Sequence, residues 1–190
     1  MFLKSTQPAK VFVDVRSRGI VAALDHALRF HADVASFAFA CALSENSAKD
    51  LPIEAQIAVN QIAPPADASR SDRAKMLENL RSREVLDAVR FPEIAFRGRY
   101  RGTLDAGELS GELLVRGAPR KVTFAVRGGR SEEALSVEAT WEGALTALGV
   151  RPYRALLGAL KLDDWVRIRI ESVFQISTGE APSMSGIEVD

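Results

Sequence analysis

The side chains best suited to metal chemistry lie near the N-terminus: His26, His31 and Cys41. The two histidines are five positions apart, so on one strand they would face opposite sides, and Cys41 would reach them only through pairing of neighbouring strands. The sequence therefore predicts no metal site. Two interpretations of His26 stay open, a structural histidine with a satisfied hydrogen bond and a polar group that orients a bound ligand.

Two further polar clusters invite a chemical interpretation. Asp163 and Asp164 could pair as general acid and base, but adjacent residues on a turn diverge, so a solvated loop is favoured. The segment Arg97-Gly-Arg99-Tyr-Arg101 combines cations with an aromatic ring, as single-stranded nucleic-acid sites do. Acidic residues flank it, and the 25 basic and 25 acidic residues of the chain cancel. We expect a solvated strand edge and no nucleic-acid partner.

The motifs of common catalytic and nucleotide-binding sites are absent from the sequence. It contains no G-x-S-x-G, no H-E-x-x-H, no P-loop and no G-x-G-x-x-G. The sequence therefore predicts no catalytic residues, no cofactor and no enzymatic activity.

Alternation of apolar and polar residues dominates the chain. Apolar residues recur at every second position in about eight segments, as in Val122, Phe124 and Val126, which is the pattern of strands with one buried face. The rhythm of alternating strands and helices that marks a parallel sheet is missing. The pattern favours a mainly β protein, an antiparallel up-and-down eight-stranded barrel. Such a barrel is either filled by side chains or just wide enough for one ligand.

Two helices are predicted among these strands. Ser71 or Asp72 can cap a helix, and Met76, Leu77 and Leu80 follow at helical spacing. The predicted helix covers residues 71–90, since a proline at position 92 disfavours helix before it, and we expect its apolar side to pack over the barrel. A second, short helix is predicted at residues 152–160.

The chain is predicted to form one domain over residues 1–174, followed by a flexible acidic tail at residues 175–190. One cysteine excludes an intrachain disulfide. The segment MFLKSTQPAK has no apolar core of a signal peptide, so we expect a cytoplasmic protein, or a periplasmic one if the native N-terminus is longer. No apolar run is long enough for a membrane span.

An ordered set of residues resembles the YceI-like family. The first run comprises Asp72-Arg73, Met76-Leu77, Leu80-Arg81-Ser82, Val85-Leu86-Asp87, Phe91-Pro92, Ile94 and Phe96, followed by Gly107, Leu109, Gly111, Leu113, Val115 and Gly117. A later segment, from Leu148-Gly149-Val150 to Asp164, is similar to the closing loop of the family. The resemblance covers roughly residues 11 to 174.

The resemblance implies a lipocalin-like barrel whose apolar interior takes a polyisoprenoid, an isoprenoid quinone or a similar lipid. Some members have a glycine-histidine-aspartate-leucine passage, of which this chain keeps His26 and Leu28. The residues then expected to line the cavity are His26, Leu28, Phe30, Phe37, Phe39, Ile57, Val59, Leu77, Leu80, Ile94, Phe96, Leu109, Gly111, Leu113, Val115, Phe124, Val137, Trp141 and Ile168. Gly111 is interpreted either as a bend in its strand or as space left for the ligand.

The predicted function is non-enzymatic binding of such a lipid, for storage, transport or sequestration. Two alternatives stay open, an enzyme that acts on a small apolar substrate in the same cavity and a solid barrel with a structural or interaction role. The oligomeric state is also open, with a homodimer as one option.

Overall fold

Alternating apolar residues build one antiparallel sheet in the computed structural model, which describes residues 2–5, 7–18, 27–34, 36–39, 48–155 and 160–177. The strands are β1 (Phe2–Ser5), β2 (Lys10–Arg18), β3 (Ala27–Asp33), β4 (Ser36–Phe39), β5 (Ala48–Ala58), β6 (Glu93–Gly102), β7 (Ala106–Val115), β8 (Ala118–Arg130), β9 (Ala134–Gly143), β10 (Arg154–Ala155) and β11 (Leu160–Ser177). The helix α1 (Arg70–Arg81) and two 3₁₀ helices, Val59–Gln61 and Thr146–Leu148, complete the described elements.

The sheet curls until its two ends meet. Its hydrogen-bonded order is β3-β2-β11-β9-β8-β7-β6-β5-β4, with β1 and β10 added on β11. Two residues separate β3 from β4, yet they pair with strands at opposite ends of this order. His31 of β3 also exchanges backbone hydrogen bonds of 3.0 and 2.7 Å with Ala63, which follows β5. With β3 and β4 counted as one strand, the nine strands of the order make eight, which confirms the predicted lipocalin-like barrel.

The two faces of the barrel differ as the alternation predicts. On β8, Val122, Phe124 and Val126 are buried, whereas the residues between them are exposed. Outside, Asp50 bonds the guanidinium groups of Arg99 and Arg101 at 2.9 Å each. Arg99 and Arg101, from the basic segment at residues 97–101, are therefore ion-paired on the outer face of the barrel, as expected for a solvated strand edge.

The predicted helix over residues 71–90 is shorter than expected. It begins after Ser69, whose Oγ accepts a 3.1 Å hydrogen bond from the Asp72 backbone N–H, and it ends at Arg81 because Ser82 is extended. Residues 82–90 form turns in which Asp87 has a φ of 50°.

The apolar side of this helix packs over the barrel only in part, with Leu80 against the core and Met76 at the cavity. None of the residues of α1 is buried, and Met76, Leu77 and Leu80 are half-buried. The turns after the helix supply the buried side chains instead, Leu86 at 7% exposure and Asp87 at 5%. The Leu86 N–H still reaches the Leu80 carbonyl oxygen at 3.2 Å, which holds this passage against the end of the helix.

The predicted short helix at residues 152–160 is also replaced. Its described part contains β10, whose Arg154 and Ala155 pair with Lys161 and Leu160 of β11, and residues 156–159 lie outside the described ranges. The predicted tail begins later than residue 175, because β11 continues to Ser177 and pairs there with Phe2. Residues 178–190 lie outside the described ranges.

Candidate functional site: an apolar cavity in the barrel

The inward faces of the strands enclose a cavity of about 1650 Å³. Its walls are largely aliphatic and aromatic, and residues of β2, β3, β5, β6, β7, β8, β9 and β11 contribute. Pockets for drug-sized ligands usually measure about 300–1,000 Å³. The barrel is therefore hollow, contrary to the solid-barrel alternative, and its volume suits a ligand larger than most drug-sized molecules.

Most of the residues expected in the cavity line it. These are Leu28, Phe30, Ile57, Leu80, Ile94, Phe96, Leu109, Leu113, Val115, Phe124, Val137 and Ile168. His26 lies outside the described residues, and for Phe37 and Phe39 the description covers the backbone of β4 alone. Val59, Leu77, Gly111 and Trp141 are not among the lining residues.

Packing explains why Val59 and Leu77 are not part of the wall. Val59 is 1% exposed in the core, and its backbone N–H is fixed by a 2.8 Å hydrogen bond to the Pro92 carbonyl oxygen. Leu77 lies on α1 between Met76 and Glu78, both of which border the cavity, but its own side chain does not. One side of α1 therefore borders the cavity, and the Leu77 side chain is not on that side.

The two interpretations of Gly111 can now be separated. A Cβ atom at this position would lie 2.5 Å from Gly98 Cα and closer still to the Arg97 carbonyl oxygen. Gly98 and Gly111 are register partners on β6 and β7, so the glycine permits close approach of two backbones. The expectation that Gly111 leaves space for the ligand is therefore replaced by a backbone requirement.

The sequence interpretation missed the polar residues at the edge of the cavity. These are contributed by α1 and the segment before it and by residues 151–153: Asp67, Ser69, Asp72, Lys75, Glu78, Asn79, Arg151 and Tyr153. Their spacing on α1 at positions 72, 75 and 79 could have revealed one helical face. The α1 end of the barrel thus combines an apolar interior with groups that can meet a polar head or water.

Arg29 and His31 of β3 also border the cavity. The Arg29 guanidinium donates to both carboxylate oxygens of Asp14, at 2.7 and 3.2 Å. The hydrogen bond to Asp14, together with its charge, raises the pKa of Arg29. Asp14 is 4% exposed, so this ion pair compensates a buried carboxylate next to the cavity wall.

The opposite end of the cavity is more apolar. Tyr100, Thr103 and Leu104 line it near the turn between β6 and β7, together with Leu135 and Phe174. The Tyr100 hydroxyl donates to the Thr103 carbonyl oxygen. Burial raises the pKa of the Tyr100 phenol, with a further contribution from the charge of Asp105. The hydroxyl is thus neutral and satisfied by the backbone, so this end is suited to a hydrocarbon.

Among the described residues, no group of three or more His, Cys, Asp and Glu side chains is placed to hold a metal ion. No helix in the same part of the chain has the length and apolar character needed to cross a bilayer.

A curled antiparallel barrel with an apolar cavity defines a lipocalin-like binding protein. The family profile described as YceI-like domain matches residues 9–174, so the chain belongs to the YceI-like family. At the level of the family, such barrels bind apolar ligands. No curated protein matches the sequence.

Solved structures show the same fold at low sequence identity. BcnA of Burkholderia cenocepacia is 14% identical with a TM-score of 0.61, and the match covers 87% of this chain and 95% of that protein. The YCEI protein of Campylobacter jejuni is 11% identical with a TM-score of 0.56, over 76% and 84% of the two chains. At such identities the similarity concerns the fold alone.

Proposed function

We propose that the protein binds one long apolar lipid, a polyisoprenoid or the isoprenoid tail of a quinone, without converting it chemically. The observation that carries this proposal is the cavity of about 1650 Å³ with hydrocarbon walls. Water gains few hydrogen bonds in such a space, so an apolar chain that displaces it is favoured.

The distribution of polar groups supports a direction for the bound lipid. The charged lining residues Lys75, Glu78 and Arg151 lie at the edge near α1, whereas Leu104, Leu135 and other apolar residues line the far end. We infer that the tail enters toward the β6–β7 turn and that the polar head stays near α1. Storage, transport and sequestration are all compatible with such binding.

A titration tests the proposal. The fluorescent polyene cis-parinaric acid is added to the delipidated protein, and geranylgeraniol then competes for the site. We expect saturable binding of the probe and its complete displacement by the isoprenoid alcohol. Absence of saturable binding, in a protein with a cooperative unfolding transition, would contradict the proposal.

A further inference from the structure

Three inward-facing aromatic rings each lie over a glycine of the barrel wall. The pairs of ring and glycine are Phe96 with Gly98, Tyr100 with Gly107, and Trp141 with Gly143. A Cβ at Gly98 would lie 2.5 Å from the ring atom Cζ of Phe96. Real Cβ atoms do not approach that closely, so each ring occupies the place that a side chain would take. The rings therefore lie along the wall instead of projecting across the cavity.

Gly143 differs from the other two glycines in what surrounds it. At Gly98, an added Cβ would also lie 2.6 Å from the Ser110 carbonyl oxygen, and at Gly107 it would meet the Arg101 carbonyl oxygen. At Gly143, the three nearest atoms all belong to Trp141, with Cη2 at 2.5 Å. The backbone spacing thus explains the first two glycines, whereas the indole ring explains Gly143.

The surroundings of Trp141 show where a displaced ring would go. Trp141 pairs with Ile168 of β11, and Ala139 lies two residues before it on the same face of β9. Both neighbours line the cavity, while Trp141 does not. Since the sheet backbone blocks the outward direction, a ring pushed off Gly143 would turn into the space beside Ile168 and Ala139.

We propose that Gly143 is a specificity-determining residue that sets the width of the cavity by holding the Trp141 ring against the wall. This inference rests on the proposed lipid binding and extends it. A methyl-branched isoprenoid chain is thicker than a straight alkyl chain, so it is more sensitive to a large aromatic ring in its path. Gly143 thus lets the cavity admit branched chains that a narrower cavity would exclude.

The test compares two competitors of cis-parinaric acid, the branched geranylgeraniol and the straight-chain hexadecanol. In Gly143→Ala, we expect geranylgeraniol to bind about tenfold more weakly or worse, because the displaced ring overpacks the occupied cavity, and hexadecanol to lose less. The double variant Gly143→Ala with Trp141→Ala should regain the branched ligand. Gly129→Ala is the control, since a Cβ there meets only the Ser136 hydroxyl oxygen, at 2.9 Å, and it should leave both affinities unchanged.

Each outcome bears on a distinct claim. If the unaltered protein binds neither competitor, the proposed function fails, and this inference fails with it. If the unaltered protein binds both and a folded Gly143→Ala protein keeps the same ratio of affinities, the role of Gly143 alone is refuted. If Gly143→Ala does not fold, a folded double variant that binds geranylgeraniol supports the contact between ring and glycine, and a double variant that also fails to fold overturns it.

Discussion

The passage after α1 holds the barrel more strongly than the helix itself, and two leucines test this. Leu86 is 7% exposed, packs in the core and borders the cavity. Leu77 is half-buried on α1 and is neither in the core nor in the cavity wall. The sequence pattern placed both leucines on one helix with an apolar side. Truncation of each to alanine therefore compares the same chemical change in two environments.

The magnitudes follow from burial. Replacing a buried leucine by alanine costs ~2–5 kcal/mol, and Leu86 belongs in the lower half of this range because the cavity already removes some of its neighbours. At ~2–3 kcal/mol, the melting temperature of a protein of this size should fall by roughly 4–12 °C. Leu77→Ala should cost less than about 1 kcal/mol, as expected for a partly exposed position without core contacts.

Urea denaturation of the two variants and the unaltered protein, followed by circular dichroism, measures both costs. The slope of free energy against urea should be unchanged, so that the midpoints report stability directly. A loss of stability in Leu77→Ala equal to or larger than that in Leu86→Ala would refute the argument, because α1 would then be a packed element of the barrel.

Three further predictions concern the cavity and two titrating groups. Ala139 is a small residue of the cavity wall, so Ala139→Phe should weaken uptake of cis-parinaric acid at least about tenfold by filling the space. The control variant Ala125→Phe places the same ring on the outer face of β8 and should bind the probe normally. Equal binding by the two variants would contradict the assignment of these residues to the inner and outer faces. Hydrogen bonds from the Thr146 side chain and backbone, at 2.6 and 2.9 Å, lower the pKa of Asp164. A lowered folded-state pKa stabilises the protein above the ordinary value of about 3.9 and stops doing so as the pH falls through the folded pKa. Asp164→Asn should therefore be less stable than the unaltered protein at pH 7 and closer to it near pH 3 in urea denaturation. A difference in stability that is the same at both pH values would argue against a role of the ionised carboxylate in these hydrogen bonds. Because burial raises the pKa of Tyr100, its phenolate should form above the ordinary pKa of about 10; its stabilisation is present below that value and lost as the pH rises through the folded pKa. Subtraction of the Tyr100→Phe absorbance titration near 295 nm measures this ionisation, and a midpoint at or below about 10 would contradict it.

The sequence was sufficient to predict the barrel because each strand carries its own pattern. Val122, Phe124 and Val126 alternate with exposed residues, and the structure buries those three. Alternation depends on neighbours two positions apart, so it can be interpreted without knowledge of the rest of the fold. From β5 to β9 the strand order follows the chain, as the predicted up-and-down barrel requires, although the passage with α1 separates β5 from β6.

The helix was harder to predict because its burial depends on tertiary packing. Met76, Leu77 and Leu80 have helical spacing, but spacing shows only that they share a face, and it cannot show that a cavity instead of a packed core lies beneath that face. The extended conformation of Ser82 ends the helix, and Asp87 then takes a left-handed φ of 50°, which its residue type only weakly indicates.

The roles of two glycines in the barrel wall could not be predicted from the sequence either. Gly111 and Gly143 both lie on inward faces of their strands, but Gly111 accommodates a neighbouring backbone and Gly143 a ring of its own strand. Those partners are distinguished by the register of the sheet and by the orientation of one side chain. Neither property is encoded in the spacing of the residues along the chain.

The mass of the freshly purified protein tests the central claim most directly. Native mass spectrometry should show the polypeptide with one additional mass that disappears on extraction with organic solvent, and the extract should contain a polyisoprenoid or an isoprenoid quinone. Delipidated protein should regain an adduct of one chain per polypeptide when it is mixed with geranylgeraniol. A folded protein that carries no extractable lipid and takes up no geranylgeraniol would contradict the account.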